Sequence, residues 1–209
     1  MKQPSPAPQA VSGKLPKAAR RQQLLAVALL IVRQEGADRL TLGHVATRAG
    51  VSKPIAYEHF GSRAGLLAEL YQALDQQQVQ ALLLALQSGP SSLAETAAVL
   101  ASTYIHCAVD TSGEIYAVRA ALSGSEELGA VQQQALAGYV DLFVAALVPH
   151  SALPAEELHR RCVGLVGAGE ALSLRMVGGQ CGEQAAAATF SALIQGGLQA
   201  PASPANAPE

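Results

Sequence analysis

The chain has no tryptophan, and aromatic residues make up only 4% of its 209 positions. A core built with so few rings has to be filled mainly by Ala and Leu, which favours close-packed helices over sheets. No stretch alternates apolar and polar residues as a half-buried strand would, and no internal repeat is visible. Cysteine is scarce as well: Cys107, Cys162 and Cys181 are odd in number and lack metal-ligand spacing. That excludes a disulfide framework and a cysteine-based metal site, and leaves buried reduced thiols or one redox-sensing thiol as the alternatives. No run approaches about 18 unbroken apolar residues, so no membrane span is expected. Residues 1–19 lack a hydrophobic segment of signal-peptide type, so a cytoplasmic protein is expected. There is no phosphate-binding glycine loop and no Ser-His-Asp set. Neither an enzyme nor a bound cofactor is therefore expected.

What is present is a strong split of charge under a formal net of only −2. Residues 1–64 carry ten Lys/Arg against three Asp/Glu, a net of +7, whereas residues 65–209 carry four against thirteen, a net of −9. A basic head on an acidic body suits a protein that meets a polyanion with the head alone. The ends, residues 1–16 and 199–209, are rich in Pro, Ala, Ser and Gln and are expected to be disordered. The first of them runs into Lys14, Lys17, Arg20 and Arg21. It is either a solubilising tail or an arm that adds DNA contacts.

Residues 41–63, TLGHVATRAGVSKPIAYEHFGSR, carry the most information. Thr41 suits a helix N-cap. Leu42, Val45, Ala46 and Ala49 recur at helical spacing, and Gly50 stands where a left-handed residue ends a helix. Val51 fills the corner. Ser52 can cap the following helix, and Pro54 falls in its first turn, where a missing N–H costs nothing. The layout is a helix-turn-helix, whose second helix enters the major groove.

Together with RRQQLLAVALLIVRQEG before it and GSRAGLLAEL after it, this run resembles the DNA-binding domain of the TetR family of bacterial repressors. The resemblance covers about 50 residues in order and spacing. It implies an all-α protein: an N-terminal three-helix DNA-binding domain over residues 17–62, then a helical effector-binding and dimerisation domain over residues 63–198. It also implies that Tyr57 and His59 contact the DNA backbone while Pro54 and Ile55 face base edges. Lys53 is expected to reach a phosphate or a guanine edge. Thr41, Ser52, Arg48 and Arg63 complete the expected DNA-contacting set, Arg63 standing where the family usually has Lys. Ala56 replaces the usual Leu or Ile. Glu58 either accepts from a cytosine amino group or points away, so the operator is not inherited from a relative.

A helix-turn-helix head gains affinity as a dimer on paired half-sites. Small and apolar residues of the last two predicted helices are the expected interface: Gly164, Ala168, Ala171 and Arg175 in one, Phe190, Leu193 and Gly197 in the other. The expected effector residues are those with polar or aromatic character on apolar faces, namely Tyr104, Cys107, Arg119, Tyr139, Phe143 and Glu170. Arg119 either binds an acidic effector group or pairs structurally, and Glu170 is the counterpart for a cationic effector. The sequence therefore reads as a homodimeric repressor with a double-stranded DNA operator and an unknown small-molecule effector. The rival reading is an all-helical enzyme or lipid carrier with a decayed head.

Overall fold

The computed structural model describes residues 15–110 and 113–199. The expected terminal tails fall almost wholly outside the described residues. Among the described residues the chain is helical throughout: α1 (Lys17–Glu35), α2 (Leu42–Ala49), α3 (Lys53–Phe60), α4 (Arg63–Leu86), α5 (Leu93–Asp110), α6 (Glu114–Leu122), α7 (Glu126–Leu147), α8 (Ala155–Val177) and α9 (Glu183–Gly197), with single 3-10 turns at Ala37–Arg39 and Val148–His150.

Local chemistry sets the head. The Thr41 hydroxyl accepts from the His44 N–H at 3.1 Å and starts α2. Gly50 ends it at φ 68°, ψ 32°, a left-handed position where a Cβ is unfavourable. Ser52 occupies the N-cap position of α3, but its hydroxyl makes no capping bond. Ser62 starts α4 by accepting from the Gly65 N–H at 2.9 Å. Here α4 passes so close to the end of α3 that a Cβ on Gly65 would lie 2.3 Å from the Phe60 carbonyl oxygen.

The core of α1 to α3 is made of fully buried Leu24, Ala28, Ile31, Leu40, Val45, Ala46 and Ala56, closed by Leu66 and Leu70 of α4. Each buried leucine or isoleucine contributes about 1.5–3 kcal/mol. The same cluster continues without a break into Ile115, Val118 and Leu122 of α6 and Val131 of α7. A second cluster fills the body, where Phe143, Phe190, Leu100, Ile105 and Ile194 are wholly buried. There α5 packs along α9, α7 along α8, and α4 runs against α5, α6 and α7. At 1.5 Å per residue α4 is about 36 Å long, one uninterrupted rod from the head into the body.

One helical stretch, Gly129–His150, meets the length and composition of a membrane span, with a mean hydropathy of 1.2. Its apolar side is the body core: Tyr139, Val140, Phe143 and Leu147 all lie inside the bundle. Cys107 and Cys162 are buried and Cys181 half-buried, and none of them is in a disulfide among the described residues. Burial pushes the Cys162 thiol up to about 11.

Candidate nucleic-acid interface and internal cavity

α3 turns two faces in opposite directions. Ala56 and Phe60 are buried against α1, α2 and α4, whereas Ser52, Lys53, Pro54, Tyr57 and Glu58 are exposed. Tyr57 is 54% exposed, far too open to be a core aromatic. Ile55 and His59 are half-buried at the edge of this face. A helix of this width fits the roughly 12 Å major groove. Lys53 lies over Gly43, whose Cβ position is 3.4 Å from the lysine Cε. Among the described residues neither Lys53 nor Arg39 has a carboxylate partner. Arg39 is exposed just before Thr41, beside the positive end of α2. It was missing from the sequence-derived set, because a lone arginine in a loop carries no pattern.

Two arginines expected at DNA instead have intramolecular partners. Arg63 donates from Nε to the Leu40 carbonyl at 2.7 Å and from Nη2 to the Ala37 carbonyl at 2.8 Å. It is half-buried and clamps the turn between α1 and α2. Arg48 donates to Glu35 and Gln34, both at 2.8 Å, tying the end of α2 to the end of α1. Glu58 faces Lys17 across 3.6 Å, an exposed pair of little energetic weight.

The body holds a cavity of about 240 Å³ that opens to the surface beside Leu136 and Glu170. Its wall takes Tyr71, Asp75 and Gln78 from α4, Tyr104 from α5, Ile115, Tyr116 and Arg119 from α6, Gln132, Ala135, Leu136 and Tyr139 from α7, and Val166 and Glu170 from α8. Tyr104 meets Tyr139 edge-on at 5.4 Å and Phe190 edge-on at 5.5 Å. The Tyr139 hydroxyl donates to Gln78 Oε1 at 2.9 Å. Arg119 is ion-paired with Glu170, and its Cζ lies 5.6 Å from the centroid of the Tyr116 ring. Burial raises all four tyrosines above their ordinary range. Burial also raises the Asp75 carboxyl, and its hydrogen bond with Tyr139 pulls it partly back.

The cavity and the head are joined at two places. α4 carries Tyr71, Asp75 and Gln78 on the same rod that begins under α3. At the start of α6, Glu114, only 5% exposed, accepts both nitrogens of Arg33 of α1 at 2.5 and 3.1 Å.

Residues 24–70 match the family of bacterial regulatory proteins named tetR. The head of the chain is a TetR-family DNA-binding domain. A TetR-like transcriptional regulator from Rhodococcus sp. RHA1 superposes with a TM-score of 0.63 at 26% identity, covering 88% of this chain and 98% of that one. A TetR-family transcriptional regulator from Rhodococcus sp. gives 0.70 at 21% identity over 87% and 100%, a likeness of fold alone. Among curated relatives, the HTH-type transcriptional activator FasR of Mycolicibacterium smegmatis is 41% identical over 66 residues, 32% of this chain. The chain spans only 28% of that relative's length.

Within the body the cavity gathers four of the six residues read as effector contacts: Tyr104, Arg119, Tyr139 and Glu170. Cys107 and Phe143 are buried in the packed core and do not line it. Sequence reading missed Tyr71, Asp75, Tyr116 and the two glutamines, whose helices reveal a shared wall only once folded. Of the expected dimer residues, Phe190 has to be withdrawn. It is fully buried within a single chain, stacked on Phe143 at 6.0 Å, and has no surface to offer a partner. Gly164, Ala171, Arg175 and Leu193 are exposed and Ala168 and Gly197 half-buried; of these, Gly164, Ala168, Leu193 and Gly197 edge a shallow groove between α8 and α9, which Ala171 and Arg175 do not line.

Proposed function

We propose that this TetR-family protein is a homodimeric DNA-binding repressor whose grip on its operator is released when a small molecule fills the cavity. In this reading residues 17–62 bind DNA, and residues 63–198 hold the effector and pair the two subunits. Lys53, Tyr57, Pro54 and Ser52 meet the groove and its flanking phosphates, with Ile55 and His59 at its edges. Thr41 and Arg39 meet a phosphate at the positive end of α2. The exposed small-residue faces of α8 and α9 pair the subunits and set two heads on half-sites about 34–36 Å apart. DNA as partner puts the protein in the compartment that holds the chromosome.

The observation that carries the reading is the shared framework: the same α4 and α6 that wall the cavity are built into the head, by core packing and by the Arg33–Glu114 pair. An occupant that moves either helix moves the recognition helix with it, and the two affinities are thereby linked. The test is gel retardation of the DNA upstream of the protein's own coding sequence at several salt concentrations. Binding should weaken steeply with salt, because each neutralised phosphate releases counterions. Binding that is equal for random DNA, or absent at low salt, overturns the reading.

A further inference from the structure

The chain has five tyrosines, and four of them, Tyr71, Tyr104, Tyr116 and Tyr139, come from four different helices to line the one cavity of about 240 Å³. Beside them stands Asp75, which among the described residues has no ion-pair partner. Among the described residues the cavity's only arginine, Arg119, is already neutralised by Glu170. The wall therefore presents aromatic rings, acceptor oxygens and one uncompensated carboxylate. Ring quadrupoles attract a cation, and a half-buried carboxylate without a counter-charge is costly until one arrives. Taking the cavity as the effector site proposed above, we propose that its occupant is a small organic ammonium.

The competing chemistries fit less well. An anionic effector would meet Asp75 directly and could reach Arg119 only by displacing Glu170. A neutral apolar effector would leave Asp75 buried beneath it without a counter-charge. Burial holds the Asp75 carboxyl above its ordinary range, and a cation beside it draws it back toward the ionised form. Arg119 over Tyr116 shows the same wall accommodating a guanidinium of the protein's own. The volume sits below the roughly 300–1,000 Å³ of drug-sized sites, which points to a compact cation and not a long-chain one.

The test is titration calorimetry of the full chain with choline and benzyltrimethylammonium, against 3,3-dimethylbutanol as choline's uncharged isostere and hexanoate as the anion. The cations should bind at least about tenfold more tightly than either control. Asp75→Asn, which keeps the side chain's size, should cost at least about tenfold of the cation affinity. Tyr116→Leu should weaken it, and Tyr116→Phe, which keeps the ring, should restore most of the loss. Failure of both cations to bind at millimolar concentration overturns the proposal, as does equal binding of the controls or an unchanged affinity in Asp75→Asn. The same probes are then added to the DNA complex. A cation that binds without releasing DNA refutes the effector reading while the cation site stands. Release by hexanoate or the alcohol alone refutes the cation site while the effector reading stands.

Discussion

Replacing Gly169 with alanine separates tertiary packing from helix propensity. Gly169 lies in the interior of α8, where alanine in place of glycine ordinarily stabilises by about 0.5–1 kcal/mol. Its surroundings reverse that sign. A Cβ there would stand 2.6 and 2.8 Å from two atoms of the Phe190 ring and 3.0 Å from Tyr104. Phe190 is fully buried and wedged against Phe143, so it has no free direction in which to yield. Overpacking of this kind costs about 1–3 kcal/mol, which leaves a net loss near 1 kcal/mol, or about 2–4 °C in Tm for a chain of this size. Gly138→Ala is the matched control. That glycine is exposed on α7 with nothing within 4 Å of a new Cβ, and it should gain about 0.5–1 kcal/mol. Thermal unfolding of the two variants beside the parent reads both signs. A Tm that rises as much for Gly169→Ala as for Gly138→Ala refutes the packing described around Phe190 and Tyr104.

Lys53→Ala should weaken operator binding and reduce the salt slope of log K by about 1, with an unchanged Tm; an unaltered slope in retardation assays removes Lys53 from the phosphate contacts. Arg33→Ala should leave Glu114 buried without its partner and lower both Tm and the coupling between cavity and DNA, read as a smaller ratio of operator affinities with and without effector. In the absence of ligand, Asp75→Asn should raise Tm at neutral pH. The folded carboxyl titrates above its unfolded value, so the folded state holds the proton longer and stability falls as pH rises between the two. The asparagine variant should lack that fall, and an identical pH–Tm profile would contradict the burial of Asp75. Leu193→Glu should yield monomers by light scattering, whereas Phe190→Glu should fail to fold.

The head was legible because its instructions are local. Thr41, Gly50 and Pro54 act within one turn of themselves, and each boundary they imply falls within a residue or two of the observed helix. The body helices were legible for the same reason, through their apolar spacing and their proline and glycine stops. The cavity was half legible. Tyr104, Arg119, Tyr139 and Glu170 stood out as polar groups on apolar faces, but Arg119 and Glu170 are 51 positions apart and nothing in either helix announces the pair. Asp75 and Tyr71 passed as ordinary residues of a long connecting helix. Arg48 and Arg63 show a related ambiguity: a positive charge near a recognition helix suits a phosphate and an acceptor of the protein's own equally well. Only the folded turn shows that Arg63 takes the carbonyls of Ala37 and Leu40.

With no tryptophan in the chain, its ultraviolet fluorescence comes from tyrosine alone, and four of the five emitters surround one small chamber while the fifth projects from α3. The molecule thus carries its own optical gauge at both ends. An occupant of the chamber should change the emission of the four that line it, and a duplex should quench Tyr57. The Tyr57→Phe variant silences the second signal and leaves the first, so filling and docking can be timed separately in unlabelled protein.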